Sequence, residues 1–465
     1  MGQDASSLWR DLRDAVAGAE RDYTQETLTR SIFFLAVPMV LEMCMESLFG
    51  IVNIFWVARL GHDAVAGVGL TETLLTVLYS LALGVSMATT AMVARRTGEH
   101  NHEGASVAAV QSIVLGVLLS VLIAVPGILY APQLLRAMGA EPPVIAHGST
   151  YTKILLGSST SIMLLFLMNA IFRGAGDAAI AMRVLWAANG LNLVLDPLLI
   201  YGLGPFPEMG VTGAAVATCI SRSLGVALQF AVFLRGRGRV HVSRRHLVLD
   251  VPVLQRLSRL SATGMLQFLI AHASWVALVS VIARSGSSAL AGYTIAIRII
   301  VFSLLPSWGL ANAAATLVGQ NLGARQPERA ELAVWRCGFY NMFFLGAVGV
   351  IFIVSPEPLI RWFSAEPEVV AYGAACLRII SYGYVFYAFG MVMVQAFNGA
   401  GDTTTPTIIN LGCYWMFQLP VAWLLAIHWG HGASGAFWAV PVAESVLAVT
   451  GVLVFRRGGW KRREI

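Results

Sequence analysis

The chain has 465 residues, 57% of them hydrophobic and 12% charged, with a formal net charge of +6. Soluble domains carry about 25% charged residues, so this composition excludes a string of soluble domains and points to a polytopic membrane protein. The basic excess is almost entirely arginine and is dispersed between apolar runs, which excludes a nucleic-acid partner.

Residues 1–29 form a polar N-terminal tail. They lack a short apolar core before a small-residue cleavage site, so no signal peptide is expected. The stretch SSLWRDLRDAVAG suits a short amphipathic helix with Leu8, Trp9, Leu12 and Val16 near one face, lying on the membrane surface, or else a frayed tail. The first apolar run, Arg30 to Leu60, exceeds the roughly 20 residues needed to cross a bilayer. It nevertheless carries Glu42 and Glu46. With Phe49 and Asn53 they follow helical spacing and line one side of the span. Carboxylates in hydrocarbon are costly and face a bundle interior or an aqueous cavity. They either mark an ion or substrate route or stay protonated as packing contacts.

Further spans are expected at about 65–91, 107–131, 148–172, 180–202 and 211–234. A polar, arginine-rich linker follows at 235–259, and the spans resume at about 260–283, 288–315, 332–354, 369–396, 406–428 and 433–455. A basic tail, 456–465, closes the chain. The predicted fold is all-α, with twelve transmembrane helices in two six-helix lobes related by a pseudo-two-fold axis: an N-lobe at 30–234 and a C-lobe at 260–455. Arginines concentrate in the tails, in the linker and in the loops after spans two, four and eight, so the positive-inside rule places both termini in the cytoplasm.

Three short motifs recur at one fixed offset of 225 residues. The run Leu60–Gly67 parallels Ser285–Gly292, Val93–Gly98 parallels Val318–Gly323, and Phe172–Asp177 parallels Phe397–Asp402. Two such halves with a cavity between them are transporter architecture, and suit alternating access better than the alternative, a channel. In the GAGD motifs, Gly174, Gly176, Gly399 and Gly401 suit tight turns and close approach, while Asp177 and Asp402 suit caps for the next helix. Gly319 and Gln320 belong to the motif after span eight. All are read as structural, with gating contacts as the alternative.

Polar residues inside the other spans are the remaining candidates. Glu72 lies near the outer end of span two. Asn189, Asn192 and Asp196 share one face of span five, where Pro197 frees a backbone carbonyl beside the acid. This group holds a proton or a cation, or else fixes a helix pair as an Asp–Asn network. Span seven offers Met265, Gln267, His272 and Trp275, and the last span carries Glu444. Met265, Gln267, Trp275 and Asn189 are candidates for a substrate cavity, since Met and aromatic side chains suit bulky amphiphilic ligands. Five scattered cysteines and nine histidines show no ligand spacing, so no metal site is expected. A Ser/His/Asp set and a folded extramembrane domain are both missing, which argues against an enzyme.

These features resemble the multidrug and toxic compound extrusion family. The run VGQNLGA at Val318–Ala324 is similar to its signature after span eight, and FNGAGDTTTP at Phe397–Pro406 to that after span ten. The LAVP run at Leu35–Pro38 and the LGxxAxAGxG run from Leu60 also match, and the resemblance covers about residues 30–456. It implies a V-shaped pair of lobes exporting cationic or amphiphilic organic compounds in exchange for H+ or Na+, with no cofactor and no ATP hydrolysis. Asn192 and Asp196 match the NxxxD pattern of the DinF-like branch. That branch carries an acid on its first helix where this chain has Asn53, so Glu42 and Glu46 are candidates to replace the charge. The NorM-like branch uses a glutamate in span seven where this chain has Gln267. The resemblance thus implies coupling in the N-lobe through Asp196, Asn192, Glu42, Glu46, Glu72 and Asn53, with H+ favoured over Na+. A bacterial inner membrane, contact with membrane lipid and function as a monomer are expected. The rival reading is a flippase for lipids or lipid-linked oligosaccharides.

Overall fold

The computed structural model of the chain describes residues 5–18, 21–60, 62–236, 238–240 and 242–465. Gly61, Arg237 and the Leu8 side chain, used in the sequence reading, lie outside the described residues. What is described is almost wholly helical. An amphipathic helix α1 (Ala5–Ala17) comes first, with Trp9 exposed and Ala15 buried. Then follow α2 (Leu28–Ala58), α3 (His62–Gly98), α4 (His102–Ala137), α5 (Pro142–Gly157), α6 (Ser159–Ala175), α7 (Ala178–Tyr201) and α8 (Val211–Leu234). The second half contains α9 (Val251–Ala283), α10 (Ser287–Gly323), α11 (Pro327–Val354), α12 (Pro356–Arg361), α13 (Pro367–Ser381) and α14 (Tyr384–Gly399). Last come α15 (Thr404–His428) and α16 (Gly432–Arg456).

Among the described residues, ten helices are long and apolar enough to cross a membrane. The expected twelve are reached because spans four and ten are each a bent pair: α5 with α6 at 44°, and α13 with α14 at 58°. Both bends were absent from the sequence reading, as was the helical nature of the linker's last residues, which begin α9 at Val251.

The repeat extends into local geometry. Helices α3 and α10 both have 37 residues, and their ends keep the 225-residue offset. Tyr130 leaves helical geometry inside α4, two residues before Pro132. Its counterpart Ser355 separates α11 from α12. There the cause is Pro356, which disfavours helical geometry in the residue before it.

The helices form two compact units. The first contains Leu41–Met265 with the segment through Arg21; the second contains Asp22–Val40 and Leu266–Ile465. Each unit therefore includes half of a helix whose other half is assigned elsewhere, at Val40/Leu41 in α2 and Met265/Leu266 in α9. In the first unit, α3 and α9 cross at Gly84 and Gly264, where a Cβ on Gly264 would sit 3.1 Å from the Gly84 carbonyl oxygen. In the second unit, the equivalent Gly309 of α10 accommodates the backbone of Met39 and Val40. Arg329 donates to the carbonyls of Tyr23 and Glu26, and Arg336 Nη1 to Thr29 Oγ1 at 2.9 Å, fixing the segment ahead of α2 within that same unit. The apolar core of the first unit runs through Leu78, Val85, Met163, Leu167 and Ile200. That of the second runs through Ile282, Leu345, Leu377, Tyr384 and Phe437.

The GAGD motifs turn each unit at its polar edge. Gly176 and Gly401 take φ of 91° and 81°, which only glycine adopts without strain. Of the two acids expected to cap, Asp177 makes no side-chain cap bond to α7, whereas Asp402 caps its helix. Asp177 Oδ2 accepts from the Arg239 backbone N–H at 2.8 Å, with the guanidinium 3.7 Å from Oδ1. Asp402 caps α15 by accepting from Thr405 N at 3.3 Å and Thr405 Oγ1 at 2.6 Å, and Arg463 of the tail reaches its Oδ1 at 3.2 Å. Beside each clasp a phenylalanine from the motif meets one from the unit's last helix edge-on: Phe172 with Phe233, and Phe397 with Phe455. Gly319 and Gln320 are buried within α10.

Candidate functional site

The polar face predicted for the first span is built from α2 within the first unit. Glu42 Oε1 accepts from Arg173 Nη1 at 3.0 Å and Asn169 Nδ2 at 3.2 Å. Gln229 of α8 in turn donates to Asn169 Oδ1 at 2.5 Å. One helical turn on, Glu46 accepts from Asn189 Nδ2 at 2.9 Å and Arg222 Nη2 at 3.3 Å. The Arg222 guanidinium also lies over the Phe49 ring, 5.6 Å from its centroid. Both glutamates are thus neutralised by arginines. Such pairs offset the cost of bringing charge out of water only because several hydrogen bonds accompany them.

Two turns further along, Asn53 Nδ2 donates to Asp196 Oδ2 at 3.4 Å. Asp196 is fully buried. Asn192, one turn earlier on α7, sets its amide against the same oxygen: with the N–H turned to the acid it donates at 2.9 Å while its carbonyl oxygen accepts from Ser221 Oγ and Thr218 N, both at 3.1 Å, and turned the other way it donates to Ser221 Oγ at 3.1 Å and Thr218 Oγ1 at 3.3 Å. Pro197 lies inside α7 and has no N–H for the carbonyl of Leu193. Asp196 therefore sits in a cluster of amides and a hydroxyl, with no arginine bonded to it among the described residues, unlike Glu42 and Glu46. Glu72 is exposed on α3.

The four cavity candidates separate. Asn189 belongs to the Glu46 network, and Met265 packs against the first unit's core at the Gly84 crossing. Gln267 and Trp275 line a cavity of about 290 Å³ inside the second unit. Phe268 and Trp308 stack in its wall with centroids 5.9 Å apart. Glu444 of α16 faces it and accepts from Tyr414 at 3.0 Å. Tyr414 lies on a π-helical stretch, Leu411–Gln418, within α15; such widened turns recur at functional sites. Glu444 and Arg222 are functional candidates that only the folded structure singles out. The available signal was the same in both cases, one charge inside an apolar span.

Comparison with known proteins gives a consistent picture. The MatE family profile matches residues 38–198 and 265–424. A Thermotoga maritima protein described as "Probable multidrug resistance protein NorM" is 29% identical over 442 residues, covering 94% of both chains. "Probable multidrug resistance protein YoeA" of Bacillus subtilis is 27% identical, covering 95% of this chain and 96% of its own. Among solved structures, an outward-facing multidrug resistance MATE family transporter of the MOP superfamily aligns with a TM-score of 0.88 at 27% identity, covering 94% of this chain and 98% of that one. A MOP superfamily transporter from Pyrococcus furiosus, described as having a binding pocket of reverse polarity, aligns with a TM-score of 0.88 at 26% identity, covering 95% and 98%.

Proposed function

The chain belongs to the MatE family of multi-pass membrane transporters, and on that premise we propose that it is a secondary antiporter. It exports cationic or amphiphilic organic compounds in exchange for inward H+, by alternating access. Asp196 exchanges the proton, and Asn192 and Asn53 position its carboxyl group. The observation that carries this reading is the contrast among the first unit's acids. Glu42 and Glu46 have arginine partners, while fully buried Asp196 is bonded to amides. A carboxylate removed from water needs a cation or a proton. Asn53 turns its N–H group toward it, whereas a metal ion such as Na+ needs oxygen ligands, which favours H+ over Na+. Glu42 and Glu46 then fix α2 within the unit. No organic cofactor is required, each chain acts as a monomer, and both termini face the cytoplasm of a cell with this protein in its inner membrane. The acidic, arginine-free lining of the second unit's cavity favours cation export over flipping of an anionic lipid headgroup.

The test uses proteoliposomes, a cationic dye and an imposed pH gradient in sodium-free medium. The intact protein drives dye uphill. Asp196→Asn abolishes gradient-driven movement while the protein remains folded. Dye movement indifferent to both pH and Na+ gradients rejects antiport, and unchanged coupling in Asp196→Asn removes that residue from the mechanism.

A further inference from the structure

The two repeats treat one position in opposite ways. Gly213 of α8 receives the Leu199 backbone, and Gly435 of α16 receives the Leu425 backbone in the same manner. Phe233 and Phe455 likewise make matching ring contacts at the other ends of these helices. Counted from either landmark, Arg222 of the first unit and Glu444 of the second occupy equivalent places. On the partner helix, the 225-residue offset that relates Val40 to Met265 relates Glu46 to Ala271. The Glu46–Arg222 ion pair of the first unit therefore corresponds to Ala271 and Glu444 in the second. The acid has moved to the other helix, its partner has shrunk to a methyl group, and the space left is the 290 Å³ cavity that both residues line.

No lysine or arginine occurs among the described residues lining that cavity. Two acceptors in its wall, Gln267 Oε1 and Asn410 Oδ1, are buried without hydrogen-bond partners. His272 Nδ1, 2.9 Å from the Phe268 carbonyl, gives its hydrogen there. Trp275, Trp308 and Tyr414 add aromatic side chains to the lining.

We infer that Glu444 is a specificity-determining residue whose cavity takes an organic ammonium bearing N–H groups, in preference to a quaternary ammonium of the same shape. The ligand's nitrogen supplies the charge that Arg222 supplies in the first unit. Its hydrogens satisfy Glu444 and the amide oxygens of Gln267 and Asn410. A quaternary nitrogen brings the charge but no donor, leaving those acceptors unpaired, and an anion is repelled.

This inference deepens the export reading and rests on it for its physiological meaning, but it is tested by binding alone. Purified full-length protein in detergent is titrated calorimetrically with 2-phenylethylammonium and with its N,N,N-trimethyl derivative. The primary ammonium is expected to bind about tenfold tighter, the ratio given by one charge-assisted hydrogen bond. Glu444→Gln, which can still accept from Tyr414, is expected to lose about tenfold in affinity for the primary ammonium. Ala271→Lys places an internal cation opposite Glu444 and is expected to abolish binding in a folded protein, which settles the matter should Glu444→Gln fail to fold. Equal affinity for the two probes, or Ala271→Lys protein that binds as well as the intact chain, overturns the inference. Binding that meets these expectations without gradient-driven transport would reject the antiport reading and leave this one standing.

Discussion

Arg173 Nη1 lies 3.0 Å from Glu42 Oε1, and the carboxylate of this pair is almost completely shielded from solvent. Removing one partner of a buried pair strands the other, at a cost of about 3–5 kcal/mol, whereas replacing both is far less damaging. Arg173→Ala is therefore expected to lower the thermal unfolding temperature in detergent sharply, and Arg173→Gln combined with Glu42→Gln to recover much of it. The coupling energy from the double-mutant cycle should exceed about 1 kcal/mol; strictly additive effects would show that the pair does not act as a unit.

Asn192 is the closer of the two amides on Asp196. A hydrogen bond to a charged group contributes about 1.5–3 kcal/mol. Asn192→Leu is expected to reduce gradient-driven export about tenfold or more, and Asn53→Leu, which removes the longer bond, to reduce it less. Initial rates in proteoliposomes check the order; a larger loss for Asn53→Leu would reverse the assignment.

Gly399 and Gly69 make a matched contrast. A Cβ on Gly399 would collide with the Ala315 carbonyl, whereas one on Gly69 meets nothing within 4 Å. Gly399→Ala is expected to cost about 1–3 kcal/mol through forced separation of α14 and α10. Gly69→Ala should be neutral or stabilising by about 0.4–1 kcal/mol, because alanine restricts the unfolded chain. Unfolding midpoints of the two variants decide the matter.

The tail clasp is asymmetric in burial: the Arg463 side chain is 52% exposed and that of Asp402 6%. Exposed ion pairs contribute about 0–1 kcal/mol, while loss of an N-cap costs about 0.5–2 kcal/mol. Asp402→Ala should therefore speed hydrogen exchange at the start of α15 markedly, and Arg463→Ala only slightly. Equal effects would mean that the tail, rather than the cap, holds the loop.

Much of the fold was legible in the chain. Runs of about 20 apolar residues reveal spans directly, and the loop motifs disclosed the repeat through the fixed spacing of their glycines, of which Gly176 and Gly401 take left-handed backbone. The bends at Ser158 and near Gly383 were hidden, since no proline marks them and the apolar run continues through. The site was legible only in part. Helical spacing placed Glu42, Glu46 and Asn53 on one face and Asn192 with Asp196 on another. Their neutralisation was not readable, because Arg173 resembles an ordinary loop arginine and Arg222 lies far away in sequence. Glu444 was visible as a charge, but Tyr414 reaches it from another helix and Gln267 and Asn410 line the same cavity, a convergence that exists only in the folded chain.

The division of α2 at Val40/Leu41 and of α9 at Met265/Leu266 has a consequence for the history and dissection of the molecule. The two cut points are one repeat length apart, so each copy has lent its opening half-helix to the other. A nick in the connector near residue 240 would not release two finished modules: each fragment would carry a borrowed strut and lack its own. The two pieces should therefore be soluble in detergent and active only when made together, as complementing fragments of one reciprocal exchange.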